Sequence, residues 1–245
     1  MQRKKNRLIK KFDIFSNCLM GIFLFSSIIS TNANAQVDEL KNGAWYMYFW
    51  ELRAAESSIG IQSDLQYRNW NLLGDLEQLL LRGGMYYQRP DRDWRLIGGY
   101  AYIRSGTYGE SRAFSTEHRI YQEALFSQRW LERIQLIHRI RFEQRFLDQR
   151  IIRTRGRYNL FVNVAINKNR FEKDCIYLAL YNELFINGER NFADRKVDYF
   201  DRNRSYAALG YHISDKKKIQ VGYMWQITPD WSKGQWQLSF HHKLN

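Results

Sequence analysis

Residues 154–167 read TRGRYNLFVNVAIN, and side chains of two kinds alternate along this stretch. The apolar set is Tyr158, Leu160, Val162, Val164 and Ile166. The polar set is Arg155, Arg157, Asn159, Asn163 and Asn167. Because successive side chains of a β-strand point to opposite faces, a period of two predicts a strand with one apolar and one polar face.

The same period recurs on both sides of this stretch. It predicts eleven strands, near residues 43–53, 57–70, 73–87, 94–105, 115–129, 133–147, 154–167, 175–187, 202–213, 218–228 and 234–244. Both prolines, Pro90 and Pro229, fall between strands, as hydrogen-bonded ladders require. Leu72–Leu81 also has helical spacing, but a helix there would leave the preceding strand unpaired on one side, so we favour a strand.

The arrangement of strands and gaps predicts an all-β fold, a single antiparallel transmembrane β-barrel. Long gaps at 106–114 and 188–201 alternate with shorter ones, as the loops and turns of outer-membrane barrels do. A soluble two-sheet sandwich would also alternate, but its strands are usually about 5–6 residues long. Because bacterial single-chain barrels have even strand numbers, we expect ten or twelve strands. Aromatic residues at the ends of the apolar face would form interfacial girdles: Trp45, Trp50, Trp70, Tyr86, Tyr87, Trp94, Tyr158, Trp225 and Trp236.

The first 35 residues have the order of a secretory signal peptide. Six basic residues precede an apolar core, LMGIFLFSSII at 19–29, and small residues follow up to Ala33-Asn34-Ala35. That core is about half of the ~20 residues that a membrane anchor helix needs. We therefore expect cleavage after Ala35, a mature chain that begins at Gln36, a barrel over 36–245, and export to the outer membrane of a Gram-negative cell.

Composition excludes several other classes of protein. Aromatic residues make up 16% of the chain, which argues against disorder. The mature chain would keep one cysteine, Cys175, so an internal disulfide is impossible and a Cys/His zinc site is not expected. We predict no metal and no cofactor. The net charge of +13 does not point to nucleic acid, because an exported chain does not meet it.

Several strings resemble the bacterial family called domain of unknown function 2490. They include His138-Arg-Ile-Arg-Phe-Glu-Gln-Arg-Phe, Asn182-Glu-Leu-Phe and Asp201-Arg-Asn-Arg-Ser-Tyr, and the likeness covers about residues 43–244. The resemblance implies an outer-membrane β-barrel. It implies no activity and no catalytic residues.

A charge ladder on the polar face is the strongest candidate site. Its members are Glu117, Arg119, Glu123, Arg139, Arg141, Glu143, Arg145, Arg155, Arg157 and Glu183. A hairpin centred on Leu131 would place Glu123 opposite Arg139 and Arg119 opposite Glu143, whereas a shift by two would oppose Arg119 to Arg145. The ladder is interpreted as a structural filling of the lumen or as the lining of a narrow conduit, which its arginine surplus would make anion-preferring.

A lipid-modifying barrel enzyme is the alternative function, and we favour a non-enzymatic role. Such an enzyme needs a serine and a histidine within hydrogen-bond reach, and we identify no serine beside any of the five histidines. The expected partners are outer-membrane lipids including lipopolysaccharide, whose phosphates could meet basic residues near the long loops, and no protein partner is indicated. Those basic residues are Arg104, Arg112, Arg150, Arg153, Arg190, Arg195 and Lys196.

Overall fold

The computed structural model describes residues 41–108, 113–147, 151–192 and 195–245. These residues form thirteen strands: β1 Gly43–Arg53, β2 Ile59–Asn69, β3 Leu76–Tyr87, β4 Trp94–Gly106, β5 Phe114–Trp130, β6 Ile134–Leu147, β7 Ile151–Ala165, β8 Ile176–Asn187, β9 Asn191–Phe192, β10 Arg195–Lys196, β11 Phe200–Ser214, β12 Lys217–Ile227 and β13 Ser232–Lys243. Within these ranges no helix has the length and apolarity needed to cross a membrane. The predicted signal peptide and its cleavage residues Ala33, Ala35 and Gln36 lie outside the described residues.

Eleven strands close into a barrel, in the order β1-β13-β12-β11-β8-β7-β6-β5-β4-β3-β2. The all-β barrel prediction is confirmed, and each of the eleven predicted strands is present. The expected even strand number is wrong. Neighbouring strands along the chain are antiparallel, so an odd number leaves the first and last strands running the same way. β1 and β13 accordingly close the barrel as a parallel pair, with Gly43 opposite Gln235 and Glu51 opposite Lys243.

The parallel closure places the two ends of the wall at opposite mouths. We call the long-loop end the mouth at which β1 begins and at which β2, β4, β6, β8 and β12 end. The short-turn end is the opposite mouth, with the turns that follow β1, β3, β5, β7 and β11 and the end of β13. The two-residue strands β9 and β10 pair with each other inside the β8–β11 connection. The Leu72–Leu81 region divides into an exposed turn and the start of β3, and no helix forms there.

The outer face of the barrel is apolar and exposed. Ile140, Leu209 and Val221 have exposed fractions of 54%, 60% and 52%. Leu160, Val162 and Val164 alternate with the buried Asn159, Asn163 and Ala165, which places the three on this outer face. The polarity of the two faces is thus reversed relative to a water-soluble barrel, which hides its apolar side chains.

Two of the aromatic residues assigned to the girdles face inward instead. Trp45 and Tyr86 are buried, whereas Tyr87, Tyr158, Trp225 and Trp236 are exposed, so the girdle prediction is wrong for the first two. An aromatic side chain can lie on either face of a strand. The sequences at 43–53 and 76–87 do not alternate clearly between apolar and polar residues, so they do not show which face is outward.

Large side chains fill the lumen beside glycines. The ring of Tyr121 occupies the space where a Cβ at Gly99 would stand, 2.5 Å from that position. Tyr177 does the same at Gly210, 2.2 Å away. Both tyrosines are almost completely buried. An inward glycine on one strand therefore makes room for an aromatic ring from its neighbour, as close packing of an interior requires.

The parallel closure can be tested by cysteine cross-linking. Tyr46 pairs with Leu238 across β1 and β13. In a chain whose native cysteines are replaced by serine, Tyr46→Cys with Leu238→Cys should form a disulfide, which non-reducing electrophoresis detects. In the control, Tyr46→Cys with His242→Cys, the second cysteine lies four residues further along β13, about 13 Å away. That distance is too long for a disulfide. Cross-linking of the control pair alone would contradict the closure.

Candidate functional site in the barrel lumen

The ten residues of the predicted charge ladder all lie on β5 to β8. Seven of them are buried: Glu117, Arg119, Glu123, Arg141, Glu143, Arg155 and Glu183. The other three, Arg139, Arg145 and Arg157, are partly buried and form ion pairs with the buried carboxylates. Alternation along each strand places the charges on the inner face, opposite the exposed apolar residues. The structure thus brings the whole set together inside the barrel.

The predicted register of the β5–β6 hairpin is wrong by two residues. Arg119 lies opposite Arg145, Glu123 opposite Arg141, and Tyr121 opposite Glu143. The turn occupies residues 131–133, and Leu131 and Glu132 adopt positive φ of 53° and 59°. The prediction relied on direct opposition of unlike charges, which applies to a flat sheet. Inside a closed barrel, long arginine side chains converge and reach carboxylates one or two strands away.

Glu117 shows how two opposed arginines are tolerated. Arg119 and Arg145 each donate from Nε to Glu117 Oε1 at 2.5 Å, and from Nη2 to Glu117 Oε2 at 3.0 and 2.9 Å. One carboxylate therefore accepts two bidentate guanidiniums, a strong and geometrically specific arrangement.

A closed circuit of ion pairs, here called the lumen network, crosses the interior. Its members are Glu123, Glu143, Glu183, Arg139, Arg141 and Arg157. Arg141 donates to Glu123 at 2.5 Å and lies 3.7 Å from Glu143. Arg157 bridges Glu143 and Glu183, at 2.6 Å each. Arg139 completes the circuit, 2.7 Å from Glu183 and 3.8 Å from Glu123.

Arg155 attaches a further acid to the lumen network. It donates to Glu143 at 2.6 Å and to Asp201 at 2.9 Å, and Asp201 also pairs with Arg202 at 3.1 Å. Glu143 therefore accepts from Arg155 and Arg157, and Arg119 is engaged with Glu117. The predicted opposition of Arg119 and Glu143 is therefore wrong, because Tyr121 lies opposite Glu143.

Sequence reasoning missed several residues of the inner face. Asp64 and Arg82 pair at 2.6 Å between β2 and β3, and Glu51 and Arg95 pair at 2.8 Å at the short-turn end. Along β11 a period of two groups Asp201 with Asn203 and Arg202 with Arg204. Both sets are polar, so the pattern of that strand alone does not reveal which set points inward. Only closure of the barrel brings these strands around the same lumen.

A second group of cations lies at the long-loop end. The guanidinium carbons of Arg68 and Arg204 lie 3.9 and 4.8 Å from the centre of the Trp45 ring. Arg68 donates to Gln66 and Gln78, and Arg204 donates from Nε to Gln226 Oε1 at 2.6 Å. These arginines thus hydrogen-bond to neutral groups, unlike the members of the lumen network.

The inner face of β13 carries a serine–histidine contact that sequence reasoning missed. Ser239 Oγ lies 3.1 Å from His241 Nε2, and the imidazole stacks on Phe49 with ring centroids 4.7 Å apart. The signal was present in the sequence as two residues spaced by two on one strand. A serine nucleophile needs a base that a third group orients. Within the described residues His241 has no second hydrogen-bond partner, and Ser239 is buried.

The basic residues assigned to lipopolysaccharide lie at the long-loop end where the structure describes them. Arg104 packs over Phe114, and Arg190 over Tyr199. Lys196 is exposed. Arg112 and Arg150 lie outside the described residues, as does the side chain of Arg195, and Arg153 is partly buried. Within the described residues there is no group of three or more acidic, histidine or cysteine side chains suited to hold a metal ion.

Comparison with known protein families now adds to this geometry. A family model described as "Protein of unknown function (DUF2490)" matches residues 42–237. The chain belongs to the DUF2490 family. The match begins beside the first residue of β1 and ends within β13, so it spans the barrel wall of this DUF2490 protein. Neither the curated proteins nor the solved structures include a match to the chain.

Glu143 offers a test of the lumen network. Glu143→Gln leaves Arg155 and Arg157 without a shared carboxylate, and breaking a buried pair in this way costs about 3–5 kcal/mol. Equilibrium denaturation should show that loss of unfolding free energy. Adding Arg155→Met should recover part of it, because Asp201 keeps Arg202. Adding Arg119→Leu should recover nothing, because Arg119 is bound to Glu117. Recovery of stability by Arg119→Leu but not by Arg155→Met would contradict the observed register.

Proposed function

We propose that this DUF2490 protein is an integral outer-membrane β-barrel whose lumen is closed by its own side chains and whose role is structural. The observation that carries the proposal is the reversed polarity of the wall. Apolar residues such as Ile140 and Leu209 are exposed on the outer face, while arginines and glutamates are buried within. Large contiguous exposed apolar surfaces mark contact with a membrane or another protein, and a band around a barrel fits a bilayer.

Two further observations support this placement. The sequence begins with the three regions of a signal peptide, which would export the chain. The longest connection, between β8 and β11, is at the long-loop end and the shortest, between β11 and β12, is at the short-turn end, in the sense expected of barrels whose loops face outward and whose turns face the periplasm. In that orientation Arg104, Arg190 and Lys196 would meet the phosphates of lipopolysaccharide.

The packing of the interior favours a closed barrel over a conduit. Tyr121, Phe185 and Met224 point inward and are almost completely buried. The lumen network adds crossing ion pairs that hold the surrounding side chains in place. Barrels of eight strands have filled interiors and those of sixteen hold channels, so eleven strands lie nearer the filled case.

Membrane insertion can be tested at the outer face. Ile140 lies near the centre of β6, and Ile140→Arg should cost about 2–4 kcal/mol of unfolding free energy in lipid vesicles if it lies near the bilayer midplane. The control is Leu73→Arg, at a residue that is 80% exposed in the turn between β2 and β3. That change should have little effect, as surface substitutions usually do. Equal tolerance of the two variants would contradict insertion.

The closed lumen can be tested by conductance. Wild-type protein in a planar bilayer should give no steady current above the protein-free baseline, because side chains fill the interior. The control is a porin of known conductance inserted under the same conditions. A steady anion-selective current through the wild-type barrel would contradict the closed lumen and would support the narrow conduit, whose selectivity would follow from the excess of arginine over glutamate.

A further inference from the structure

Two buried arginines at the long-loop end differ from the other inner-face arginines in their partners. Arg68 and Arg204 are 8% and 7% exposed. Every hydrogen bond that they make with described residues goes to a glutamine: Gln66 and Gln78 for Arg68, and Gln226 for Arg204. Among the described residues, no carboxylate oxygen lies within 4.0 Å of either guanidinium. Their positive charges are therefore not neutralised by a direct ion pair.

Both guanidiniums pack on the ring of Trp45. Their carbons lie 3.9 and 4.8 Å from the centre of the same indole ring, so the two carbons are at most 8.7 Å apart, the sum of these distances. The ring itself is fixed, because Trp45 Nε1 donates to Glu77 Oε2 at 2.9 Å. Arg204 also lies 4.8 Å from the centre of the Phe185 ring. Aromatic faces attract guanidiniums, but they do not supply the full negative charge that a buried cation lacks.

The nearest carboxylates are already engaged elsewhere. Glu183 is the cross-strand neighbour of Arg204, and its Oε1 accepts from Arg139 and Arg157. Glu77 accepts from Trp45 and, at 3.4 Å, from Gln235. Neither carboxylate can move to Arg68 or Arg204 without breaking these bonds. An anion from outside the chain would complete the site instead.

We propose that Arg68 and Arg204 form a binding site for a phosphate group. A phosphate monoester carries about −1.5 to −2 charges at pH 7, which balances two guanidiniums, whereas a single carboxylate balances one. Guanidinium forks match phosphate oxygens in a bidentate manner. The terminal nitrogens of Arg204 donate to no described acceptor, so they are available to a ligand.

Asn69 adds a further unused donor at the same end of the barrel. It follows Arg68 in the chain, is 1% exposed, and its side-chain nitrogen and oxygen have no hydrogen-bond partner among the described residues. A buried amide without partners is uncommon in folded proteins. The site is near the mouth formed by the long connections, so a ligand would enter from that side. The proposal concerns the folded barrel and does not depend on its insertion in a membrane.

The test uses the full barrel in detergent and inorganic phosphate as the probe, measured by calorimetric titration. Phosphate should bind the wild type, and Arg68→Gln with Arg204→Gln should weaken that binding by at least about tenfold, since each substitution removes charge-assisted hydrogen bonds. Arg92→Gln is the matched control, because Arg92 is exposed in a turn at the short-turn end. It should change binding by less than about twofold.

A second arm identifies the source of the phosphate. Vesicles that contain phosphatidic acid are compared with vesicles of phosphatidylcholine alone. Binding of free phosphate supports a soluble ligand, and binding only of phosphatidic acid supports a lipid headgroup, provided that the double variant loses it and Arg92→Gln keeps it. Thermal unfolding checks the fold, because the ligand-free double variant should be at least as stable as the wild type once the unpaired charges are gone. Failure of both probes to bind, or equal binding by the double variant, would overturn the proposal.

Discussion

Charged side chains enclosed by a β-barrel have little water to solvate them, so each must find an opposite charge or a hydrogen-bond partner within the wall. In the lumen network this requirement is met because single carboxylates and guanidiniums pair with more than one partner. Glu143 accepts from two arginines at 2.6 Å each, and Arg157 bridges two glutamates. Because one carboxylate can neutralise two arginines, arginines can lie opposite each other on adjacent strands, as Arg141 and Arg157 do across β6 and β7.

The same constraint explains why charged and aromatic side chains pack against each other in the interior. A bridged carboxylate fixes the guanidiniums on either side, and these in turn cover aromatic rings. The ring of Phe185 lies between 4.4 and 5.8 Å from four guanidinium carbons, those of Arg155, Arg157, Arg202 and Arg204. Charge pairing and close packing therefore stabilise the same conformation, and a change to either is expected to disturb both.

Closure through a parallel pair places β1 between β2 and β13. The paired charges of the lumen network occupy β5 to β8, whereas Arg68 and Arg204 come from β2 and β11 and meet at Trp45 of β1. Strands far apart in the sequence are brought together there by the β1–β13 seam. The proposed phosphate site therefore depends on the odd strand number, because an additional strand would alter the spacing around the seam.

The strands and the inner face could be assigned from local sequence pattern. A period of two depends only on the geometry of an extended chain, so the faces of 154–167 and the eleven strand positions could be inferred locally. The same pattern places Glu143 and its neighbours on one face. The parallel seam, the register of β5 against β6 and the partners of each arginine depend on how the strands assemble around the barrel. The physical reason is that a guanidinium on a long flexible side chain selects its carboxylate in three dimensions, across strands that the sequence does not order around the barrel. Trp45 and Arg204 illustrate this, since 159 positions separate them along the chain and one indole ring joins them in the fold.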